Sequence, residues 1–221
     1  MYKPIALFAL LASLLPVPIL AAPTDLADEL ANDVKRVRIM LAAGEVERAE
    51  AQLLVTGART VAALREQPSD AWIAMHAYSQ QSLNNQAAER LRPNQPRRAV
   101  EHQLLGADLH ELADETGLGL KSFAVLFHHV AIGIAIEGGL GEESLRTAYR
   151  LLALHARYPD LDRSRSAGCV ALAAIQAAEV GRVAEANILL DELAKTGWEE
   201  AAGLIEMARP SLEQRAPGGR P

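Results

Sequence analysis

Six histidines and a large set of carboxylates are the residues of this chain best suited to chemistry. His128 and His129 are adjacent, so on a helix they point about 100° apart and do not readily share one ion. His110 and Asp114 stand four apart, which puts both on one helical face and makes half of a metal site. Together His110, Asp114, His128 and His129 define one reading, a ligand- or metal-binding helical bundle centred on histidine. The competing reading is structural, with one of the paired histidines bonded to a backbone carbonyl and the other reaching solvent. There is no His-x3-His pair, and His110-Glu111 lacks the second histidine of a zinc-protease helix. Cys169 follows Gly168 where a helix should begin, a place that can make a thiol reactive. Its neighbours Val170, Ala171 and Leu172 instead mark it as a small core thiol.

The sets needed for nucleophilic or phosphate chemistry do not occur in the sequence after the leader. There is no Gly-x-Ser-x-Gly elbow, no Ser-x-x-Lys and no Gly-x4-Gly-Lys. Glu142, Glu143, Glu199 and Glu200 fall at expected helix ends, where carboxylates complement the helix dipole or face water. Trp72 and Trp198 read as core or interface anchors rather than sugar platforms. The expectation is a non-catalytic protein that needs no cofactor.

The elements that must position these residues begin with an apparent export signal. Met1-Tyr2-Lys3 is followed by an apolar run from Ile5 to Leu15, by Pro16 and Pro18, and by the small pair Ala21-Ala22. That order is the order of a cleavable leader, here residues 1–21 with the cut after Ala21. The same stretch could barely span a bilayer, but two prolines sit badly in such a helix. No later apolar run is long enough to span a membrane. The expected location is a bacterial periplasm. Of 221 residues, 22 are Lys or Arg and 28 are Asp or Glu, a formal charge of −6. Losing Lys3 with the leader makes the remainder more acidic still. An acidic chain of this kind lacks the basic face that a general nucleic-acid binder needs. With a single Cys there is no disulfide framework.

Residues 22–208 read as one all-α domain of antiparallel helical hairpins, with residues 209–221 as a disordered tail. No segment alternates apolar and polar residues as a half-buried strand does. Thr24 or Asp25 caps a first helix that Gly44 stops, Pro68 ends a second, and Ser69 caps a third. Later helices are separated by Gly117-Gly119, Gly138-Gly139, Pro159, Gly181 and Gly197. The segment from Ser122 to Ile136 is apolar nearly all round, so it should be the axis of the core, covered on several sides. Residues 79–98 interrupt the pattern with five Gln and Asn before Pro93, two prolines and an excess of arginine. They read as a solvated linker and possible hinge. Its arginines, Arg92, Arg97 and Arg98, are the candidate contact surface for an acidic partner or an anionic ligand.

Three segments open with Gly and place a small residue shortly afterwards: Gly44 with Ala49 and Leu53, Gly141 with Ala148, and Gly181 with Ala186 and Leu190. The chain thereby resembles the tetratricopeptide family, in which Gly turns the chain between helices and Ala lets helices approach closely. The middle copy departs by two residues, and the copies do not keep the family's period of about 34. The resemblance implies a short α-solenoid, the alternative being a closed bundle. It also implies a protein-binding or scaffolding role, with a protein partner held in a concave groove.

Overall fold

The computed structural model describes residues 24–116, 121–163 and 165–214. The expected leader at 1–21, the Gly117-Gly119 turn and tail residues 215–221 lie outside them. The protein is all-α, with nine α-helices and no strand among the described residues. These are α1 (Asp25–Ala42), α2 (Val46–Glu66), α3 (Ala71–Leu91), α4 (Pro96–Ala113), α5 (Lys121–Glu137), α6 (Gly141–Arg157), α7 (Ser166–Glu179), α8 (Val183–Lys195) and α9 (Ala201–Glu213). Thr24 Oγ1 caps α1 by accepting from the Ala27 amide at 3.2 Å. Asp70, one residue beyond the expected Ser69, caps α3 and accepts from the Trp72 and Ile73 amides.

Every helix packs on the next, and all but one pair also pack on the next but one. The exception is α3 with α5. Odd-numbered helices therefore form one layer and even-numbered helices the other, in an open succession in which α1 and α9 do not pack together. Three hairpins, α1/α2, α5/α6 and α7/α8, turn in the same way. Gly44, Gly139 and Gly181 adopt φ of 77°, 65° and 84°, a left-handed conformation that costs residues with a Cβ energy. The amide after each glycine bonds a carbonyl five residues back: Glu45 to Met40, Leu140 to Ala135 and Arg182 to Ala177. This is the Schellman closure of a helix end. Gly139, rather than Gly141, is thus the counterpart of Gly44 and Gly181. Counted from Gly139, the buried small residue five places on is Ser144, matching Ala49 and Ala186, and the two-residue offset read from the sequence disappears. Gly141 has a separate task. A Cβ on it would lie 2.4 Å from Val180 Cγ2, so it allows α6 to approach the end of α7.

Two expectations change. Residues 79–91 continue α3 rather than forming a linker, and only residues 92–95 connect α3 to α4. Gln80, Gln81 and Asn84 share the buried face with Ala77, Ala87, Ala88 and Leu91. At the other end, α9 runs on to Glu213 through Pro210, because Ala208 and Leu212 bury their side chains in the core. The largest apolar cluster lies under α5 to α9, and two others lie under α1 to α4. A fourth, from Ala88 and Leu91 through Val100 and Leu104 to Ile134 and Ala135, joins the halves across α3, α4 and α5.

Candidate functional site

α3 and α5 pack mainly on α4 rather than on each other, and between them α4 forms the floor of a groove. The cavity there measures about 350 Å³. One wall is Tyr78, Gln81, Ser82 and Asn85 of α3. The opposite wall is Phe123, Leu126, Phe127 and Val130 of α5, and the floor carries Gln103 and His110. Phe123, Leu126 and Tyr78 are large apolar or aromatic side chains left exposed to water. The helix expected to be covered on several sides is therefore bare at Phe123 and Leu126, which with the half-buried Val130 recur at helical spacing on one face. Gly106 permits the rest of this wall. A Cβ there would lie 2.3 Å from Phe127 Cε1, so the Phe127 ring lies against the bare α4 backbone.

The polar part of the lining is unusual. Six buried side-chain polar atoms among the described residues have no hydrogen-bond partner, and three of them belong to this groove: Gln81 Nε2, Gln103 Oε1 and His110 Nδ1. Buried polar groups are nearly always satisfied, and leaving one unpaired costs about 1–3 kcal/mol. Gln103 uses its Nε2 to donate to Asn85 Oδ1 at 3.0 Å, which leaves its oxygen free. His110 stacks on Phe123 with ring centroids 5.2 Å apart and meets the Phe127 ring edge-on. Burial pushes its pKa down to about 4, so it is a neutral hydrogen-bonding group at neutral pH. None of the ten lining residues is formally charged at neutral pH.

The amides of α3 that do not face the groove form a buried ladder. Gln80 Nε2 donates to Thr60 Oγ1 at 2.7 Å, Asn84 Nδ2 donates to the Gln80 carbonyl, and His102 Nδ1–H donates to Asn84 Oδ1 at 2.8 Å. This ladder ties α2, α3 and α4 together behind the floor.

The structure engages the histidines proposed for metal separately. His128 is buried and bonds the Ala124 carbonyl through Nδ1 at 2.7 Å, and His129 lies against Ser166. Asp114 pairs with Lys121 at 2.6 Å, while His110 belongs to the groove. Among the described residues, no group of three or more His, Cys, Asp or Glu side chains is placed to hold a metal ion. The arginines of 92–98 have partners within the chain. Arg92 makes a two-pronged contact with Glu137, Arg97 pairs with the buried Glu143 at 2.7 Å, and Arg98 donates to Gln95 Oε1. They hold the α3–α4 connection to the ends of α5 and α6. Cys169 packs partly buried against the core, and burial raises its pKa.

A second polar cluster was not foreseen. Ser166 Oγ lies 2.9 Å from His129 Nε2 and 2.8 Å from His155 Nε2, so the hydroxyl shares a hydrogen bond with each imidazole. Ser166 is wholly buried, and His155 packs edge-on to Trp198. In this arrangement the hydroxyl pins α5, α6 and α7 together and is closed to a substrate. A second cleft, between α4 and α6, is occupied by the ion pairs of Arg150 with Asp108 and Arg157 with Glu111.

No helix among the described residues is long and apolar enough to cross a membrane. Comparison with protein-family models, curated proteins and solved structures finds no match.

Proposed function

We propose that the protein is an exported, non-catalytic binding module that holds a segment of a protein partner in the groove between α3 and α5. One observation carries this reading: among the described residues, half of the unpartnered buried polar atoms belong to side chains that line a single cavity. A fold that keeps such atoms unpaired is less stable than one with apolar residues in their place, and an occupant that pairs them gives the arrangement a purpose. The exposed Tyr78, Phe123 and Leu126 supply the apolar contact area that anchors interfaces. Support for export comes from the order of residues 1–21, and support for binding over catalysis from the neutral lining. The experiment is site-specific photocrosslinking in the exporting cell. A benzophenone side chain at Tyr78 or Leu126 should give a protein adduct that the same group at exposed Val55 or Ile188 does not. Filling the cavity with Ser82→Trp should abolish it. Adducts at all four positions, or adducts that persist in Ser82→Trp, would defeat the reading. Intact mass of the exported protein should show the chain cut after Ala21.

A further inference from the structure

The groove's chemistry narrows its occupant. We propose that it reads an uncharged, extended stretch of polypeptide: one backbone peptide unit is held between the Gln81 and Gln103 carboxamides, and the adjoining large apolar side chain sits against Phe123 and Leu126. This rests on the groove being the working surface.

Gln81 offers an unpartnered N–H donor and Gln103 an unpartnered carbonyl acceptor, from different helices and both more than nine-tenths buried. A peptide unit presents the complementary pair, one carbonyl and one N–H. The terminal torsion of a glutamine is broad, so either carboxamide can rotate towards an occupant of the cavity that its residue lines. A purely apolar occupant, such as an acyl chain, would leave both carboxamides unpartnered and would not account for them. A charged occupant would lose its hydration without meeting an opposite charge, because the lining carries none. That condition disfavours phosphates, nucleotides and carboxylates. The shape agrees. Helices of 21 and 17 residues flank the groove, and Arg92 with Glu137 bridges them at their C-terminal ends, so a chain can lie along it and leave at the other end. In an extended chain alternate side chains point the same way. One of them then enters among Phe123, Leu126 and Tyr78 while its neighbours face water. The volume of about 350 Å³ suits one large side chain with its peptide unit.

The test uses the purified full chain, with its side-chain amide and methyl signals followed by NMR. Three probes are compared: the blocked peptide acetyl-Gly-Ala-Phe-Ala-Gly-amide, the same peptide N-methylated at Phe and at the alanine after it, and propylbenzene. The unmodified peptide should move the Gln81 and Gln103 NH2 signals together with the Leu126 methyls. N-methylation should weaken binding about tenfold or more, the effect of one lost hydrogen bond to a buried partner. Gln103→Leu should weaken the unmodified peptide by a similar factor and make N-methylation matter less. If the N-methylated peptide or propylbenzene binds as well as the unmodified peptide, the groove takes apolar groups without reading a backbone. The inference then fails while the groove keeps its role. If no probe moves any groove signal, the inference and the functional reading fall together. The N-methyl comparison uses wild-type protein, so it decides the matter even if Gln103→Leu does not fold.

Discussion

Gln103 is buried, donates one hydrogen bond to Asn85, and leaves its oxygen without a partner. Its contributions to stability and to binding should therefore run in opposite directions. Gln103→Leu removes an unsatisfied acceptor, and the Asn85 oxygen that it releases lies on an exposed residue able to bond water. The free energy of unfolding should rise by about 1 kcal/mol, seen as a higher urea midpoint, while peptide binding is lost. A fall in the midpoint would mean that Gln103 is satisfied in solution and that the groove floor is ordinary core. Thr60 provides the contrast. It accepts from Gln80 inside the buried ladder, so Thr60→Val should strand Gln80 Nε2 and cost about 1–3 kcal/mol. Equilibrium unfolding of the two variants side by side separates a polar group kept for binding from one kept for the fold.

Among the helices, glycine decides how closely and in which direction the chain turns. Gly139 is left-handed and closes α5, whereas Gly133, inside α5, has open space where a Cβ would point. Gly139→Ala should therefore destabilise the protein by about 1–2 kcal/mol, and Gly133→Ala should stabilise it by about 0.5–1 kcal/mol. Thermal melts that ranked the two the other way would contradict the turn geometry. Such punctuation is what made the hairpins legible in the sequence, since Gly44, Gly138-Gly139 and Gly181 mark helix ends without any tertiary information. The groove was not legible, for two physical reasons. Gln80, Gln81 and Asn84 looked like solvated surface because amides usually are, although they keep helical spacing with Ala77, Ala87, Ala88 and Leu91. The spacing was the better signal. The segment from Ser122 to Ile136 is apolar on all faces, and periodicity alone does not say which face a neighbour covers. That depended on α3 and α5 packing mainly on α4 rather than on each other, a relation between distant segments that no local pattern encodes.

For the molecule as a whole, buried histidines set the dependence of stability on pH. Burial holds His102, His110, His128 and His155 at pKa values of about 4, below the ordinary 6.5. They serve four different parts of the fold: the amide ladder, the groove, the floor of the α4–α6 cleft and the Ser166 pin. Below pH 6.5 the unfolded chain takes up protons at these histidines and the folded chain does not, so acid favours unfolding. Each folded pKa is depressed, and each histidine's penalty therefore grows from pH 6.5 down to about 4. Its slope is at most about 1.4 kcal/mol per pH unit. Stability should be flat above neutrality and fall steeply as pH drops from 6.5 towards 4, as read from urea midpoints at successive pH values. Replacing His155 with Gln should reduce that slope, because one proton-accepting site is removed from the unfolded chain. A midpoint that stayed level down to pH 4 would show that these imidazoles are not held neutral by the core. Peptide binding should behave differently. His110 remains neutral down to about pH 4 and the groove lining carries no charge, so affinity should hold between pH 8 and 5.5 while global stability is already declining.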